Sequence, residues 1–188
     1  MKTWLWQAAV LTTAVAMLAL SGNAQAQGTD NDGCSNSTLQ GDYAFTVSGQ
    51  IFHQNGTVET RTGVAMTHFD GSGGLRQVDF VMTFPDKNGQ ASPVPGPSDP
   101  TTNFRVNETG TYTVYRDCTG TAEINMPAPP VPGATGARIV LMFVLSDHGR
   151  GIHTVVSSLI PPSTQPPING ALIHSDGHKL GRVPEDHD

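Results

Sequence analysis

The chain has 188 residues, a length that fits one domain. Its formal net charge is −6 and only 14% of its residues are charged, which excludes a broad cationic face for nucleic acid. No heptad pattern persists, which excludes a coiled coil.

The first segment reads as an address. Lys2 gives a short basic start, and residues 5–20 are mostly apolar, interrupted at Gln7, Thr12 and Thr13. Ala24-Gln25-Ala26 then supplies small-x-small spacing. This pattern predicts a signal peptide over 1–26, cleaved after Ala26, and a secreted or periplasmic bacterial protein. The apolar run is short for a bilayer and no later stretch is long enough to span one, so the protein is not expected to cross a membrane. Both tryptophans, Trp4 and Trp6, leave with the signal.

Two cysteines remain, Cys34 and Cys118. Export puts them where a pair usually bridges, so a disulfide is expected. It closes a loop of about 84 residues, worth roughly 4 kcal/mol in the chain-entropy model. No CxxC occurs and neither cysteine has His or Lys beside it, which argues against a reactive thiol.

Residues 27–40 read as a loose N-terminal extension carrying Cys34. Over 42–53, Tyr43, Phe45, Val47 and Ile51 alternate with polar residues, which predicts a half-buried strand. Asn55-Gly56 marks a tight turn. A second strand follows over 57–70, with Val58, Val64 and Met66 on one face. After the glycine-rich turn 71–74, residues 75–84 carry the clearest alternation. Val78, Phe80, Met82 and Phe84 share one face; Gln77, Asp79 and Thr83 share the other. All 14 prolines lie at or after Pro85. Residues 85–100 read as a long Pro-rich loop. Further strands are expected over 101–106, 110–116 and 119–126, then a second Pro-rich loop over 127–136. A hairpin over 137–146 and 151–160 turns at 147–150. Residues 161–188 read as a weakly patterned tail, with a short strand at 171–174.

About eight strands and no helix point to an all-β domain over 41–160. Short turns between neighbours favour an antiparallel up-and-down β-barrel, with a β-sandwich as the alternative. Strand 137–146 is apolar on both faces: Ile139, Leu141, Phe143 and Leu145 alternate with Val140, Met142 and Val144. Its outer face needs cover from the tail, from a Pro-rich loop, or from a second copy in a homo-oligomer.

Two passages carry a resemblance. Cys34-Ser-Asn-Ser-Thr-Leu-Gln-Gly-Asp-Tyr-Ala-Phe-Thr-Val-Ser-Gly49 and Gly110-Thr-Tyr-Thr-Val-Tyr-Arg-Asp-Cys-Thr-Gly120 resemble segments of a broad group of small secreted bacterial proteins, mostly without assigned function. The resemblance implies an all-β domain with a barrel like those of allene oxide cyclase and dirigent proteins. No catalytic residue of those two families maps onto this chain.

Chemistry is sparse. His174, Asp176, His178 and His187 have spacing that suits zinc or copper, but Gly177 and the polar surroundings predict a solvated tail and no metal site. His53 and His153 read as structural strand residues. Ser, His and Asp are plentiful enough for a triad, yet no GxSxG or strand-turn-helix context holds a nucleophile. Asp79 and Glu123 are the candidate acids; both lie on the more polar strand faces and are expected to be solvent-exposed, but if one faced a barrel lumen, burial would raise its pKa and suit acid-base work. No phosphate loop, dinucleotide fingerprint or calcium loop occurs, so no cofactor is expected.

Three functions fit: a secreted barrel binding a small apolar ligand without catalysis, a barrel enzyme of cyclase, isomerase or hydrolase type, or an envelope or matrix structural protein. The expected ligand-binding face is Val78, Phe80, Met82 and Phe84 with Phe45 and Tyr112, all turned inward.

Overall fold

A computed structural model describes residues 33–181. The expected signal peptide, its cleavage site and His187 lie outside these residues. The elements are β1 (Gln40–His53), β2 (Val58–Asp70), β3 (Gly74–Phe84), β4 (Ser92–Pro93), β5 (Arg105–Val114), β6 (Thr119–Asn125), β7 (Arg138–Ser146), β8 (Gly151–Ile160) and β9 (Ile168–Lys179). Apart from two 3-10 turns, no helix occurs among the described residues.

Eight of these strands close an antiparallel barrel in chain order, and β4 lies outside the ring. β3 pairs with β2 on one side and with β5 on the other. β9 closes the ring by pairing with both β1 and β8. Closure is partial at one seam: β8 and β9 pair only over Gly151–Val155 and His174–His178, and they part towards one end of the barrel.

The closing strand corrects the expected layout. The sequence pattern suggests a tail over 161–188, with a strand only at 171–174; the strand instead covers Ile168–Lys179 and belongs to the barrel. Its alternation is faint for a physical reason. The inward position Gly177 lies beneath Phe45, and a Cβ there would sit 2.3 Å from Phe45 Cε1. Phe45, the register partner of Gly177 on the adjacent β1, fills the space that an apolar β9 side chain would otherwise occupy.

One end of the barrel is plugged by the segment that precedes β1. Cys34 and Cys118 form the expected disulfide, tying this segment to the β5–β6 turn. Asn36–Thr38 form a 3-10 turn, and Leu39 is fully buried behind it. The Tyr112 hydroxyl donates to the Leu39 carbonyl at 2.8 Å, while Val114 N–H donates to Asn36 Oδ1 at 2.8 Å. Tyr43, Phe69 and Tyr112 stack edge to face, with centroids 5.3 and 5.0 Å apart. Such pairs add to the stabilisation that burial of their rings gives this end.

The other end is a mouth. Ile51, Val156 and Ile173 form a smaller apolar cluster there. Three Pro-rich stretches ring it, contributed by the β4–β5, β6–β7 and β8–β9 connections.

Candidate functional site

Strand alternation gives the lumen two unlike walls. The polar wall comes from β2, β3 and β5. Thr67 Oγ1 donates to Gln77 Oε1 at 2.8 Å, and Gln77 Nε2 donates to Glu108 Oε2 at 2.8 Å. Arg105 grips Asp79 with two donors, Nε at 2.6 Å and Nη2 on the second carboxylate oxygen. The same Nη2 lies 3.5 Å from Glu108 Oε1. Nearer the mouth, Glu59 Oε1 accepts from Arg61 Nε at 2.7 Å and also from Thr83, while its other oxygen meets His53 Nε2 at 2.9 Å.

A β-bulge aims two of these groups inward. In simple alternation, residues three apart face opposite ways. Arg105 and Glu108 are three apart, yet both are buried. They pair with Asp79 and Gln77, so three steps on β5 match two on β3, and Asn107 takes a positive φ of 65°. One extra residue in a strand re-aims the side chains beyond it, and such bulges concentrate near functional sites.

Burial dominates the electrostatics of this wall. Glu108 is 1% exposed, and desolvation, with the neighbouring Asp79 charge, pushes its pKa up to about 7 against the pull of Arg105. Glu59 goes the other way. Burial pushes its carboxyl up, but the Thr83 hydrogen bond and the Arg61 charge more than offset this, and its pKa falls below the usual value. Every buried side-chain N or O atom among the described residues has a hydrogen-bond partner. That satisfaction is what lets so many charged groups sit inside a small barrel.

The opposite wall is apolar. Ala122, Ile124, Ile139, Leu141, Phe143 and Val156 face the polar side across an inner cavity of about 90 Å³. Above it, the mouth encloses a pocket of about 580 Å³ lined by Val94, Pro95, Pro127, Pro129, Pro161 and Ile168 among others. Arg61, Arg105, Met126, Ile139 and Leu159 belong to the walls of both spaces. The mouth falls within the usual size range of small-molecule pockets, and a mostly apolar lining with a few placed polar groups is their usual makeup.

The residues expected to line the lumen divide. Phe45 is in the inner cavity wall. Tyr112 is buried in the plug, behind Phe69. Val78, Phe80, Met82 and Phe84 do not line the lumen; they stand on the outer face of β3. The register shows this directly: Val78 and Phe80 lie opposite Met66 and Val64, both exposed, whereas Gln77 and Asp79 lie opposite the buried Thr67 and Ala65. The Pro-rich loop after β3 folds back beside this face, and Phe104 leans on Phe80 with centroids 6.1 Å apart. The expectation fails because it assigns the apolar face of a strand to the inside, and here the polar face is the inner one.

Of the two candidate acids, Asp79 faces the lumen and Glu123 does not. Glu123 points outward and meets Arg138 at 3.2 Å. Sequence reading missed Arg105, Glu108, Arg61 and Glu59. The available signal was their position in otherwise strand-like runs, with Asn107 as the bulge residue. His174, Asp176 and His178 sit in β9 rather than a tail, and among the described residues no group of three or more His, Cys, Asp or Glu is placed to hold a metal ion. The outer face of β7 remains open at Met142 and Val144. No helix of the described residues is long and apolar enough to cross a membrane.

No family model, curated protein or solved structure matches this chain.

Proposed function

We propose that the protein is an exported barrel that binds a small, mostly apolar molecule carrying one hydroxyl or carbonyl group. The observation that carries this reading is the two-sided lumen, with an apolar wall facing a hydrogen-bonded polar wall beneath an apolar mouth. The body of the ligand rests among the prolines of the mouth. Its tip reaches the junction with the inner cavity, where Arg105 offers a donor, while Glu108, on the wall of the mouth, offers either a donor or an acceptor. A fully charged ligand is disfavoured, because Arg61 and Arg105 are already matched by Glu59 and Asp79. The disulfide supports export to an oxidising compartment. The volume of the mouth supports binding over a purely structural role.

Native mass spectrometry tests the reading with medium-chain alcohols and naphthol as probes. A one-to-one adduct is expected with the wild-type protein. Leu159→Trp places a large ring at the junction of the two spaces and should abolish the adduct. Failure of every probe to be retained, or equal retention by the variant, contradicts binding in the lumen.

A second reading has one specific observation behind it. Glu108 titrates near neutrality inside an enclosed polar wall, as a general acid or base for an isomerase or cyclase does. Turnover of a bound ligand that disappears in Glu108→Gln, while binding persists, would separate this reading from simple carriage.

A further inference from the structure

A second chemically organised site lies on the outer wall, near the plugged end and away from the lumen mouth. Ser146 ends β7, His153 lies on β8 and Asp176 on β9, and strand alternation turns all three to solvent. Asp176 is the register partner of His153. Its Oδ1 lies 2.6 Å from His153 Nδ1, while His153 Nε2 lies 3.2 Å from Ser146 Oγ. The carboxylate holds the proton on Nδ1, so the Nε2 lone pair faces the hydroxyl. This is the order of orienting acid, base and nucleophile that activates a serine, and it is recognised by geometry rather than by sequence position.

Two features fit the site to that task. Gly151 is opposite Ser146 in register, and a Cβ there would sit 2.3 Å from Ser146 Oγ, so only glycine leaves the hydroxyl its place. The following turn is held from within the barrel by the Tyr43 hydroxyl, which donates to the Gly149 carbonyl. Beside His153, the exposed Val144 and Val155 form an apolar strip suited to a short acyl chain.

We propose that Ser146 is a nucleophile for acyl transfer from small activated esters, with His153 as its base and Asp176 as the positioning residue. Ser146 Oγ bonds to the ester carbonyl carbon as its proton passes to His153 Nε2. The tetrahedral species then breaks the bond to the alcohol oxygen, which leaves with that proton. Water then bonds to the acyl carbon as its proton passes to the same nitrogen; the bond to Ser146 Oγ breaks, Oγ takes that proton back, and the acid leaves. The site is open to solvent, which suits esters with good leaving groups rather than amides.

The barrel contains its own comparison. Ser48 Oγ lies 3.0 Å from His174 Nε2, but among the described residues no carboxylate bonds the other nitrogen of His174. The purified protein is treated with a fluorophosphonate, and the adducts are located by peptide mass spectrometry. Ser146 should be phosphonylated at least about tenfold faster than Ser48. His153→Ala should slow labelling of Ser146 by about 100-fold, and Asp176→Asn by at least about tenfold. Circular dichroism checks that these surface variants keep the barrel. No adduct at Ser146, labelling unchanged by His153→Ala, or equal labelling of Ser48 overturns the proposal.

Discussion

Glu108→Gln isolates the lumen carboxyl whose proton affinity the fold raises. Folding moves this group from 4.5 to about 7. A carboxyl whose folded pKa is raised contributes its stability fully below about pH 4.5. That contribution declines as pH rises towards 7 and then levels off. The gap corresponds to about 3 kcal/mol. The amide that replaces the carboxyl stays neutral at every pH and is almost the same shape. It keeps an acceptor for Gln77 and a donor towards Asp79, so the variant lacks the pH-dependent loss without leaving a cavity. Glu59 does not confuse the comparison. Its lowered pKa gives stability that is lost as pH falls, which places its effect at the acid side of the window. Urea unfolding of both proteins at pH 5, 6, 7 and 8, with the disulfide intact, measures the difference. The stability of Glu108→Gln relative to wild type should grow by about 2–3 kcal/mol from pH 5 to pH 8. A difference that stays flat across this range would refute the claim that the polar wall is desolvated.

Other consequences follow from the same architecture. Reducing Cys34–Cys118 should cost about 2–5 kcal/mol, because it frees the plug that carries Leu39; chemical unfolding with and without reductant measures this, and an unchanged midpoint counts against the plug. Phe69→Ala, inside, should cost about 3–5 kcal/mol, whereas Met66→Lys, on the outer face, should stay within about 0.5 kcal/mol; comparable losses in thermal denaturation would mean that the assigned facing of β2 is wrong. Protein exported by its native host should begin at Gln27 and show no tryptophan fluorescence, and N-terminal sequencing that finds Trp4 retained contradicts the signal reading.

How much of this was legible in the sequence depends on what each strand's pattern encodes. In β1, Tyr43, Phe45 and Ile51 alternate with polar residues and do face inward, so period two and burial agree. In β3 the period is equally clear, but the apolar set faces out. Alternation separates two faces without stating which is inner; the usual assignment rests on the lumen being apolar, and the Gln77–Glu108 and Arg105–Asp79 pairs break that premise. Arg105 and Glu108 were hidden because the bulge at Asn107 shifts the period by one. β9 was hidden because Phe45 occupies the space above Gly177, a relation between residues more than a hundred positions apart. The relay on the outer wall was hidden for the same reason, since register across β7, β8 and β9 brings its members together.

The central claim is that a ligand sits between the two walls of the lumen. Methyl-selective NMR of the labelled protein, titrated with naphthol, tests it most directly. Intermolecular contacts and shift changes should appear at Ile139, Leu141, Leu159 and Ile173, whose side chains face the lumen. Val64, Met66, Met142 and Val144, on the outer surface, should stay unchanged. Shift changes confined to those outer methyls, with Ile139 and Leu159 unmoved at saturation, would contradict the account.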